Sequence, residues 1–207
     1  MLNFLVYMYN IGFKIFLKIG FFLILSFESL FAQNIIEWSD STKLTLSDFQ
    51  SKTSKIGGNI YSLYSSSKMD FSFSMSNYEF MFTKNFNSKV SCNFTKDAAS
   101  IIAPDEETAN SLVQFAQFDF DLSELYARKF RKKLFEEKGA FSDVSFFHPI
   151  YDRLQKEFVE KHTDAVTLTD IGRDNEKLIE LHEDVLRQIK ELSQFCKTCK
   201  PLKQKSK

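Results

Sequence analysis

Histidine is scarce in this chain of 207 residues: there are three, His148, His162 and His182, and they are scattered. Two imidazoles on one helical face, the usual way of holding zinc on a helix, are therefore excluded as the chain stands. Cysteine is as rare, and the second Cys pair that a zinc knuckle needs is missing. Cys196 and Cys199 lie together in "CKTC". Without a following strand–helix unit, that spacing reads as a local disulfide rather than a redox motif. Cys92 alternates with Val90 and Phe94 in "VSCNF", as a small buried residue on a strand would. No glycine-rich run could cradle a phosphate, and no Ser-His-Asp or Cys-His pattern is present. Neither sign of charge prevails, with 27 basic and 27 acidic residues. Lacking a basic surplus, the chain is expected to bind no nucleic acid. It also lacks an internal repeat and, beyond residue 32, any long apolar run.

What is there begins with an apolar leader. In "FKIFLKIGFFLILSFESLFAQN", Lys14 and Lys18 precede an apolar run and then small residues around Ser29 and Ala32. This pattern predicts a signal peptide over residues 1–32, cut after Ala32, and a secreted or periplasmic product. A retained membrane anchor is the competing reading, but the apolar core is shorter than the ~20 residues of a spanning helix. Cleavage removes Lys14, Lys18 and Glu28, which leaves a net charge near −1. The expected organisation is then one α+β domain over residues 33–196 and a Lys-rich flexible tail over 197–207. No membrane association is expected after cleavage.

The mature part changes period halfway. From Ile35 to Phe94 apolar residues alternate, as Met69, Phe71, Phe73 and Met75 do in "KMDFSFSM". "GGNIYSLY", "NYEFMFTKNF" and "KVSCNF" follow the same rule, which predicts an antiparallel sheet of about four strands. From Asp105 the period becomes helical, with acidic residues after Pro104 at the positive end of a helix reaching about Lys138. Two more helices are predicted, from Pro149 to about His162 and from Asp174 to about Phe195. Leu178, Leu181, Val185, Ile189 and Leu192 give the last one a single apolar stripe.

One residue is out of place. Leu112, Phe115, Leu122, Tyr126 and Phe130 fall within roughly 80° of the first helix, and Asp119 falls inside the same sector. A buried carboxylate costs several kcal/mol unless paired, hydrogen-bonded or protonated. Here "FDFDLSELYARKFRKKL" resembles a helix of an uncharacterised bacterial family of secreted zinc-dependent proteases, in which HExxH runs into Phe-Asp and an "ELYAR"-like stretch. Phe120, Asp121, Glu124, Leu125, Tyr126, Ala127 and Arg128 carry the match. Trp38, Leu46, Asp48 and Phe49 resemble the family's opening segment. The resemblance implies a zincin-like helix on a sheet.

The same superposition places the family's first His, its Glu and its second His at Phe115, Ala116 and Asp119. Its downstream His-Gly falls at Ile171-Gly172. A phenyl ring cannot ligate, a methyl is no base, and one carboxylate does not make a zinc site. The resemblance thus implies a degenerate member with neither catalytic residues nor a metal cofactor. Its expected work is binding a protein, a peptide or a cell-envelope component. The alternatives are a metallohydrolase with a rebuilt centre, using Asp119 with a distant His, and a purely structural envelope protein. Asp121, Glu124, Tyr126, Arg128 and Trp38 are the candidate binding or structural residues. For Glu124 and Arg128 an exposed i,i+4 ion pair is the simplest expectation, and the three histidines are expected to be structural.

Overall fold

The computed structural model describes residues 34–72, 74–139 and 141–202. The expected leader and its cleavage bond lie outside the described residues, as does Phe73. By its contacts the chain separates into Met1–Ile35 and Ile36–Lys207. The second unit is a mixed α+β structure.

Two small sheets share the work assigned to one. In the first, β5 (Val90–Thr95) lies between β1 (Ile35–Glu37) and β4 (Ser67–Phe71). β4 and β5 are antiparallel, with Met69 opposite Cys92 and Phe71 opposite Val90. The predicted alternation is plain in β5, where Val90, Cys92 and Phe94 are buried. In the second sheet, β6 (Ser100–Ala103) lies between β2 (Lys55–Ile56) and β3 (Ser62–Tyr64), parallel to one and antiparallel to the other. The expected meander divides between β3 and β4. There the Ser66 hydroxyl donates to the Thr95 carbonyl at 2.6 Å and accepts from the Thr95 amide at 2.9 Å. That side chain takes up both polar groups a further ladder rung would have used.

"NYEFMFTKNF" is not a strand. Asn77–Phe82 is a short helix, α1, because the Ser76 hydroxyl caps it by accepting from the Glu79 amide at 3.1 Å. Tyr78 and Phe82 then pair at i,i+4 spacing, their rings 4.9 Å apart. Within α1 only Phe80 is buried.

α2 (Glu106–Glu137) begins as the sequence predicts, with the Asp105 carboxylate accepting from the Thr108 amide at 2.7 Å. It packs against β4, β5 and β6 and against both following helices. From Phe115 to Arg128 every residue is buried. This central stretch has no solvent face, so its polar side chains depend on partners inside the protein; among the described residues the Ser123 hydroxyl is buried without one.

α3 (His148–Thr169) is longer than expected. Thr and Val lower the helix propensity of "HTDAVTLT", but Ala165 and Thr169 are buried and hold the helix seven residues past His162. It ends in three consecutive left-handed residues, Asp170, Ile171 and Gly172 (φ 48°, 56° and 90°). α4 (Asn175–Glu191) starts with Asp174 accepting from the Lys177 amide, and Leu178, Val185 and Ile189 are its buried stripe. A 3-10 turn, Ser193–Phe195, leads to the Cys196–Cys199 disulfide. Residues 197–202, the start of the expected flexible tail, are tied down. The Cys199 carbonyl accepts from Asn85 and Asn87, and Lys197 pairs with Glu37. The remaining tail residues, 203–207, lie outside the described residues.

Candidate functional site

The polar residues of α2 sort into two groups. In the first, Asp119 is 4 % exposed and accepts from His162 Nδ1 at 2.7 Å. His162 belongs to the middle of α3, not to a helix end. Its ring is stacked on Phe158 and lies edge-on to Phe115, both centroids 6.0 Å away. The hydrogen bond to Asp119 raises the His162 pKa, partly opposed by burial. Phe115 is buried under this imidazole, and Ala116 is buried with no polar atom to offer. The turn after α3 closes on the same face. A Cβ on Gly172 would lie 2.7 Å from the Ser111 carbonyl oxygen and 3.0 Å from Phe115 Cβ. Only glycine allows that approach at this φ. The left-handed Ile171 beside it is strained, since a β-branched residue disfavours positive φ.

The second group surrounds Asp121. One oxygen accepts from Trp38 Nε1 at 2.6 Å, and the other accepts from Gln117 Nε2 at 3.0 Å and His182 Nε2 at 2.7 Å. Gln117 in turn accepts the Leu44 amide at 2.8 Å. One turn on, the Glu124 carboxylate accepts from Arg128 Nε at 2.9 Å and from an Arg131 terminal nitrogen at 2.8 Å. The expected exposed ion pair is corrected here: Glu124 and Arg128 are 3 % and 4 % exposed, and Arg131 only 1 %. Arg128 also donates to the Ile189 carbonyl and lies 5.1 Å from the Trp38 ring centroid. Arg131 donates to the carbonyls of Val90 and Phe195. Trp38, Asp121, Glu124 and Arg128 therefore form a single network, buried but for the half-buried Trp38, that fastens the N-terminal segment, β5 and the end of α4 to α2.

Tyr126 stands apart from both groups. It packs edge-on to Phe158, Lys129 Nζ lies 4.3 Å from its ring centroid, and burial pushes its pKa up to about 12. His148 begins α3, but its side chain makes no cap; Phe147 is the N-cap residue. Cys196 and Cys199 are bonded to each other, and Cys92 is a buried free thiol.

Chemically, an Asp–His pair can fix an imidazole tautomer and hold a proton. Among the described residues, no hydroxyl or thiol is hydrogen-bonded to either His162 or His182. Nor does any group of three or more His, Cys, Asp or Glu side chains converge there. The donor set thus does not fit zinc: of Phe115, Ala116 and Asp119 only Asp119 could ligate, and its near oxygen is engaged by His162. Gln117 and Arg131 went unnoticed in the sequence. Arg131 had a signal, since Glu124, Arg128 and Arg131 follow i, i+4, i+7 spacing on one face. The His162 and His182 pairings had none, being 43 and 61 residues distant from their acids. Comparison with protein-family models, curated proteins and solved structures finds no match to this chain.

Proposed function

We propose that this chain is a secreted, catalytically inactive relative of the secreted zinc-dependent proteases, which works by binding a protein, a peptide or a cell-envelope component. The observation that carries this reading is the content of the HExxH-equivalent positions. Phe115 presents a phenyl ring, Ala116 a methyl, and Asp119 a carboxylate already bonded to His162. Zinc hydrolysis needs ligands enough for the metal and a base beside its water. The contact of Gly172 with Phe115 adds support, because it brings the position of the family's His-Gly pair beside that of its first ligand.

The rival, a rebuilt metallohydrolase, draws on the Asp119–His162 pair. Elemental analysis of protein purified without chelator separates the two. Inactivity predicts no stoichiometric zinc, and about one tightly held zinc per chain overturns it. A pull-down from the envelope fraction of the native cell tests the binding role, and a purely structural protein predicts no specific partner there.

A further inference from the structure

A cleft of about 160 Å³ opens between α2, α3 and α4. Leu122 and Leu125 of α2 and Leu181 and Val185 of α4 give it an apolar floor. An engineered apolar cavity of about 150 Å³ holds one benzene, so a single ring or a six-carbon chain matches this space. Two ammonium groups line the cleft, Lys129 from α2 and Lys161 from α3. Neither has an ion-pair or hydrogen-bond partner among the described residues; Lys129 instead lies over the Tyr126 ring. Burial lowers the Lys129 pKa; Lys161 adds to that shift, while Glu157 and Asp184 oppose it. Of the two acids in the lining, Asp184 is engaged by Arg187 and Gln188, and Asp164 is exposed. Asp184 acts on both lysines from a distance but contacts neither, and a half-buried cation without a contacting counter-ion is costly. An anion between the two lysines would offset that cost while its hydrocarbon covered the leucines.

We propose that this cleft binds a small apolar monocarboxylate, with its hydrocarbon on the floor and its carboxylate between Lys129 and Lys161. The cleft shares no residue with the Phe115–Asp119–His162 cluster, so the proposal stands or falls separately from the zinc measurement.

Hexanoate, hexan-1-ol and hexylamine, titrated into the isotopically labelled protein by NMR, provide the test. Hexanoate should saturate, with shifts concentrated on Leu122, Tyr126, Ala165 and Val185, and hexanol should bind at least about tenfold more weakly. Lys161→Met, an exposed position safe for folding, should cost hexanoate about tenfold and leave hexanol unchanged. Lys129→Met keeps the apolar stem and should do the same once a melt shows it folded. Equal affinity for hexanol, tighter binding of hexylamine, absence of saturation, or unaltered hexanoate affinity in Lys161→Met would each overturn the proposal.

Discussion

Replacing Asp119 by Asn leaves the shape of α2 intact and removes one charge from the contact with His162. At 2.7 Å, with Asp119 buried, a hydrogen bond between charged groups contributes about 1.5–3 kcal/mol. The His162 side chain is 36 % exposed, so solvent screening lowers this to about 1–2 kcal/mol. Asn still accepts from Nδ1–H, and a neutral bond contributes about 0.5–1.5 kcal/mol. The net loss is therefore about 0.5 kcal/mol. Its pH dependence has a definite sign. Hydrogen bonding to Asp119 raises the folded-state pKa of His162 above the ordinary 6.5. The pair's extra stability is then complete below that value and fades as pH rises through the folded-state pKa. Urea melts at about pH 5.5 and about pH 9 should show the larger cost at the lower pH. An Asp119→Asn variant at least as stable as wild type at the lower pH would refute the anchoring role. A cost that grows with pH would refute the linkage.

Glu124→Gln should be far more damaging, by about 3–5 kcal/mol in a urea melt, because it leaves the Arg128 and Arg131 guanidinium groups buried without the anion they share. The exposed Asp40 carboxylate, 3.8 Å from Arg128, is a weak substitute. A loss under about 1 kcal/mol would mean that the carbonyls of Val90, Ile189 and Phe195 suffice for them. Gly172→Ala should lower the melting temperature measurably, since its Cβ meets the Ser111 carbonyl oxygen and the residue sits at φ 90°; an unchanged melt would show that the turn yields. Cys92 should resist thiol reagents at pH 8 in the native protein, where burial pushes its pKa well up. It should react as the single free thiol once the protein unfolds, and mass spectrometry linking Cys92 to either other cysteine would contradict the Cys196–Cys199 pairing.

The helical half was largely legible because its signals are local. Asp105 and Asp174 cap helices that begin where the sequence places their starts, and α4 carries the stripe from Leu178 to Ile189. The strand half was less so. Tyr78, Phe80 and Phe82 alternate, but with Ser76 as cap the segment closes into a helix, a choice that periodicity over six residues cannot make. At the candidate site, the oddity of Asp119 was visible as a carboxylate in an apolar stripe. Its partner was not, because a hydrogen bond across 43 residues leaves no trace in spacing. Glu124 and Arg128 misled for the opposite reason. Their i,i+4 spacing is the same on a solvated face as in a core, and only the all-round burial of α2 distinguishes the two.

The wiring of that central helix also fixes when folding can finish. Trp38 must wait for Asp121, 83 residues later, and Arg131 for Phe195, another 64. Asn87 meets its carbonyl acceptors at Gln194 and Cys199, more than a hundred residues on. Closing such long loops is slow because their chain entropy is lost before the contacts form. A ribosome-bound chain that ends before Gln194 holds Arg131 one acceptor short and Asn87 without either carbonyl. The α2 network therefore cannot close until the segment beyond α4 has been made, and truncation just before Ser193 should trap a loosened protein even though every α-helix is already present.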